Sequence, residues 1–98
     1  MERRKLVVFV GSTKDDISGF PEEVRRAFGY GIWQAQLGGR VGYAKAMKGE
    51  LREVLEIVAD DERGERTYRA MYTVKFGDWL YVLHAFQKKS RQDFDIEG

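Results

Sequence analysis

Between Arg66 and Phe76 two unlike sets of side chains alternate. Tyr68, Ala70, Tyr72, Val74 and Phe76 share one side, and Thr67, Arg69, Met71, Thr73 and Lys75 share the other. That period of two predicts a central β-strand with one buried face. A guanidinium among aromatic and β-branched positions is not fully buried without a partner, so the face bearing Arg69 is expected to be a wet groove or a docking surface. Gly77 and Asp78 follow as a tight hairpin turn, since glycine accepts a positive φ. The run from Trp79 to Phe86 is apolar at almost every position and is predicted to be a strand buried on both faces. It gives way to Gln87, Lys88, Lys89, Ser90 and Arg91, whose cations are expected at one end of the sheet near Arg69.

Upstream, Arg4 to Val10 is β-branched and apolar, closes at Gly11, and reads as a first strand. Ser12 or Thr13 caps a short helix that carries Asp15 and Asp16 in its first turn, where the helix dipole favours acids. Pro21 stops this helix near Phe20 and opens a second, longer one, in which Val24, Phe28, Gly31, Ile32 and Ala35 form an apolar stripe. Gly29 and Gly31 each cost roughly 1 kcal/mol against alanine inside a helix, which asks for a packing reason. Gly38 and Gly39 end the helix, and Arg40 to Gly49 is expected to be a basic loop holding Tyr43, Lys45 and Lys48. Leu51 to Asp60 alternates as a strand, with Leu51, Leu55, Ile57 and Ala59 on one face and Glu56 on the other. The charged segment Asp60 to Glu65, with Gly64, joins it to the Arg66 strand as a hairpin. The order is strand, helix, helix, then three strands in antiparallel succession. It predicts an α+β fold in which two N-terminal helices pack on one face of a small curved, mainly antiparallel sheet.

A chain of 98 residues has room for one modest core, so a single domain over residues 1–98 is expected. The absence of cysteine excludes disulfides and thiolate metal sites and makes a reducing cytoplasm the default. Apolar runs are too short to cross a bilayer, and Met1 to Lys5 leads into a strand-length segment rather than a signal peptide; a soluble, cytoplasmic protein is expected. Seventeen basic and sixteen acidic residues leave a net charge of +1, so total charge does not imply a nucleic-acid partner. Distribution changes the picture, because Arg40, Lys45 and Lys48 form one segment without an acid and Lys88, Lys89 and Arg91 form another. Brought together they make a local anion site; left apart they are solvated charge. His84, the only histidine, lies inside an apolar strand and is expected to be a hydrogen-bonded core imidazole, with no second histidine or cysteine to complete a zinc site. Tyr68, Tyr72, Trp79 and Phe86 read as core, whereas Tyr43 in the basic loop can stack on a base.

Phe20-Pro21, Lys45 to Gly49, Leu55-Glu56-Ile57, Tyr68 to Lys75 and Tyr81 to Ser90 together resemble the RelE/ParE toxin superfamily, in particular its HigB-like, phage-derived branch, over residues 4 to about 91. The resemblance implies a RelE-like fold and a toxin of a type II toxin-antitoxin module. It implies a ribosome-dependent mRNA endonuclease that needs neither metal nor cofactor and is held inactive by an antitoxin, in this branch usually a helix-turn-helix protein. In that chemistry a ribose 2′-OH attacks its neighbouring phosphate. The resemblance puts Arg69 on the phosphate with Lys89; where RelE-type enzymes carry lysines this chain has Glu56 and Val58, so the proton acceptor is either Glu56 or lacking. Lys45, Lys48, Lys88 and Tyr43 then hold the flanking RNA. Two other outcomes stay open: a ParE-like inhibitor that binds gyrase, and a degenerate toxin that does not cleave. Lack of a proton acceptor, and the short segment after Arg91 where many relatives carry a further helix, favour a protein that does not cleave; for Arg69 itself the alternative is a structural salt bridge across the sheet, with Glu56 for instance.

Overall fold

Five strands make one sheet, in the order β1-β5-β4-β3-β2. The computed structural model describes residues 4–49, 53–75 and 77–89. Its elements are β1 (Leu6–Phe9), α1 (Thr13–Ser18), α2 (Glu22–Gln36), β2 (Ala44–Ala46), β3 (Val54–Asp60), β4 (Arg66–Thr73) and β5 (Trp79–Lys89). β1 runs parallel to β5 and every other pair is antiparallel, so the sheet is mixed and the fold is α+β.

α2 packs by the stripe its sequence announces. Val24, Phe28, Gly31, Ile32 and Ala35 are buried, in one cluster with Ile57, Tyr68, Ala70, Tyr72, Leu80, Val82 and Ala85 from the sheet. Gly31 is where helix and sheet approach most closely, since a Cβ there would stand 2.8 Å from Ile57 Cδ1. Gly29 meets nothing within 4 Å, so packing explains one of the two helical glycines and not the other. The helix closes on a Schellman motif: Gly38, at φ 92°, donates to Ala35 O at 3.0 Å, and Gly39 donates to Gln34 O at 2.8 Å. At its other end, Phe20 lies 4.8 Å from Tyr68, ring to ring, and ties the link between α1 and α2 to the same face of the sheet.

Three expectations need correction. The stretch from Arg40 to Gly49 is not all loop, because Ala44 to Ala46 pair with β3 as the edge strand β2. The strand from Trp79 is not buried on both faces: Leu80, Val82 and Ala85 are, while Trp79, Leu83 and His84 are exposed. The link between β4 and β5 is longer than a two-residue turn, running from Val74 to Asp78 with Gly77 at φ 74°. Phe76, Leu51, Arg91 and the segment 92–97 lie outside the described residues.

The last strand also carries the feature that sorts its two faces. β4 and β5 pair in step from Arg66 with Lys89 to Met71 with His84, and then Tyr72 pairs with Val82, so Leu83 is an extra residue in β5. Such a bulge resets the inside-outside alternation. The core positions become 80, 82 and 85, and the opposite face receives Trp79, Tyr81, His84 and Phe86.

Candidate active site

The described helices pack on the Ile57, Tyr72 and Val82 face, and the candidate residues gather on the other. Ladder register sets them in rows. Lys45, Glu56, Met71 and His84 stand opposite one another across β2, β3, β4 and β5. Val58, Arg69 and Phe86 form the next row, and Asp60, Thr67 and Lys88 the one after. Alternation thus brings Glu56, Arg69, Lys45 and Lys88 onto one face, from four segments distant in sequence.

Glu56 and Arg69 meet diagonally, Arg69 Nη1 donating to Glu56 Oε1 at 3.0 Å. The pair is enclosed: side-chain exposure is 6% for Glu56 and 25% for Arg69. An ionised carboxylate in such a place needs this partner, because removing a charge from water without one costs several kcal/mol. Arg69 is not saturated by it. Its Nε is buried without a hydrogen-bond acceptor, and a guanidinium carries five N–H donors in a fork suited to phosphate or carboxylate. Lys45 and Lys88 are exposed and have no carboxylate partner among the described residues. Asp60 is engaged by Thr67, whose hydroxyl donates to it at 2.8 Å.

The remaining candidates do not join this group equally. Lys48 is exposed two positions past the end of β2. Tyr43 is turned toward α2, its hydroxyl donating to Ala27 O at 2.9 Å. Burial, and after it the neighbouring Tyr30, push that hydroxyl above its ordinary value of 10.0. Lys89 pairs with Arg66 at the end of the ladder, and its side chain lies outside the described residues.

His84 is the residue that sequence reasoning misplaced. It is exposed rather than buried, on the Glu56 row, with its ring 4.9 Å from that of Phe86. The signal was present but easily missed: the aliphatic positions 80, 82 and 85 break step between 82 and 85, while the ring-bearing positions 79, 81, 84 and 86 break step with them. Two strand spacings separate Glu56 from His84, about 10 Å between backbones, with Arg69 on the adjoining row between them.

What this defines is a small α+β protein whose sheet face away from the described helices carries a carboxylate, an arginine, an imidazole and two lysines. Among the described residues no cluster of histidine, aspartate and glutamate could hold a metal ion, and no helix is long and apolar enough to cross a membrane. The family model of the phage-derived protein Gp49-like (DUF891) matches residues 15–97, and the chain belongs to that family. Compared with curated proteins and with solved structures, the chain matches none.

Proposed function

We propose that this protein is the toxin of a type II toxin-antitoxin module and that it cuts messenger RNA on the ribosome. Gp49-like proteins are common in toxin-antitoxin systems, and the α+β architecture is compatible with a RelE-like fold. The observation that carries the reading is the Glu56–Arg69 pair on the face away from the described helices, with Lys45 and His84 on the Glu56 row.

The reaction is a transesterification within the RNA. Glu56 takes the proton of a ribose 2′-OH, O2′ bonds to the adjacent phosphorus, and the P–O5′ bond breaks. The imidazolium of His84 gives its proton to the departing O5′. The products are a 2′,3′-cyclic phosphate and a 5′-hydroxyl, with no oxidation or external co-reactant. Free donors of Arg69 bind the phosphorane, whose charge exceeds that of the diester, and this preference for the transition state is what lowers the barrier. Lys45 and Lys88 hold neighbouring phosphates. The partner that silences the site is a helix-turn-helix antitoxin.

A second reading rests on the same pair. A carboxylate as enclosed as Glu56, already bonded to Arg69, also suits a purely structural role; the chain would then be a toxin that acts by contact, on gyrase for instance, or one that has lost cleavage. Expression of the chain separates these outcomes. Growth arrest relieved by the cognate antitoxin, with messenger RNA cut on translating ribosomes, supports the nuclease. Arrest without cut RNA favours the contact inhibitor, and normal growth in the presence of folded protein defeats the toxin reading.

A further inference from the structure

We infer that the outer face of β5 is a base-stacking track for single-stranded RNA, with Trp79, Tyr81, His84 and Phe86 as its successive rings. The inference rests on the nuclease reading for its ligand, and on the Leu83 bulge for its geometry. Without the extra residue, the strand's alternation would place His84 and Phe86 on the face opposite Trp79 and Tyr81. With it, Tyr81 faces Thr73, His84 faces Met71 and Phe86 faces Arg69. These three β4 positions lie on a single face at two-residue steps of about 6.8 Å. The rings within each pair are already roughly parallel, Trp79 to Tyr81 at 6.5 Å and 29°, His84 to Phe86 at 4.9 Å and 30°.

Large rings in line on the face of the sheet away from the helices are poorly explained as part of the core that the helices cover. Trp79 is 41% exposed and His84 is exposed, whereas the core of β5 is built from Leu80, Val82 and Ala85. Flat rings on a strand are what unpaired bases stack upon, and such stacking tolerates any sequence because every base has a π-face. An unstacked strand can open its base spacing beyond the roughly 3.4 Å of a duplex to meet the wider step of the rings. The charge fits the same ligand. Arg69 is the direct neighbour of Phe86, and Lys88 follows two residues along β5, so phosphates fall beside β4 while bases lie over β5. The track also orients the reaction, since a base on Phe86 sets its ribose and phosphate over the Arg69 row.

The test uses the tryptophan as reporter. In a Trp33→Phe background Trp79 is the sole indole, and its fluorescence is followed on titration with a short all-deoxy single strand, which lacks the attacking 2′-OH. A strand of equal length and charge with abasic positions is the comparison. Quenching by the first strand and much weaker binding of the second are expected. Trp79→Ala, followed by anisotropy of a labelled strand, and Phe86→Ala should each weaken binding roughly 5- to 150-fold, with Phe86→Tyr near the unsubstituted protein and thermal midpoints little changed. Equal binding of the abasic strand, undiminished binding by both alanine variants, or no binding of any strand would overturn the track. Cleavage of an RNA strand is scored separately: base-dependent binding without cleavage keeps the track and defeats the nuclease, and cleavage indifferent to the rings does the reverse.

Discussion

Arg69 Nη1 lies 3.0 Å from Glu56 Oε1, and the carboxylate it holds is almost wholly enclosed. Each residue therefore has two claims on it, one from stability and one from chemistry, and substitution can separate them. Arg69→Ala leaves a buried carboxylate unpaired. Breaking a buried pair costs about 3–5 kcal/mol, reduced here to about 2–3 because a quarter of the arginine side chain meets solvent. A fall in the thermal midpoint of roughly 10 °C or more is expected. The double change Glu56→Leu with Arg69→Met removes both charges together and should recover most of that loss while leaving the protein without ribosomal mRNA cleavage. If the double variant still cleaves, neither residue belongs to the machinery.

Glu56→Gln asks the narrower question. The amide keeps the shape and an oxygen acceptor for Arg69 but cannot take a proton, so cleavage should fall about 100-fold or more with the fold retained. Single-turnover cleavage, corrected for the folded fraction, is the measurement. An unchanged rate would move the proton acceptor elsewhere.

The two helical glycines should respond in opposite directions. Gly29→Ala places a methyl in open space and should stabilise by about 0.5–1 kcal/mol through helix propensity alone. Gly31→Ala drives its Cβ to 2.8 Å from Ile57 Cδ1, and Ile57 is fully buried. Overpacking of about 1–3 kcal/mol outweighs the propensity gain, and Ile57→Val in the same chain should relieve part of it. Urea midpoints of the variants decide the matter.

Tyr72 gives the stability a dependence on alkaline pH. Burial raises its hydroxyl above the ordinary 10.0, with Arg40 opposing in part. The unfolded chain therefore ionises first as pH rises. The stabilisation is complete below pH 10, and it is lost progressively as pH climbs from there through the higher value of the folded state. Tyr72→Phe should flatten the fall in thermal midpoint between about pH 9 and 11, whatever its effect at neutrality. An unaltered slope would assign the loss to other groups.

The central alternation, the α2 stripe and the side of the sheet bearing Glu56 were legible because each is a local rhythm imposed by one buried face. β2 was not. Ala44, Lys45 and Ala46 have little strand propensity of their own, and the strand exists through its ladder with β3. The two faces of β5 were confused for a different reason: a bulge shifts the rhythm by one residue, and its only mark in the sequence is the adjacent pair of aliphatics Val82 and Leu83. The same shift hid His84 from the candidate site. The place of Arg69 on the face away from the core was legible, and its need for a partner with it, because a guanidinium in a strand interior is itself the signal.

The parallel pairing of β1 with β5 has a consequence for how the protein comes into being. Leu6 and its ladder partner Trp79 stand 73 positions apart, which at about 5–20 residues per second is roughly 4–15 s of synthesis. For that interval the first strand has been made without the neighbour that orders it, and the β5 rings and the acid of the proposed reaction do not yet exist. A nascent chain of this topology is inert by construction. The sheet, and with it the face that carries Arg69, is complete only after β5 has been made.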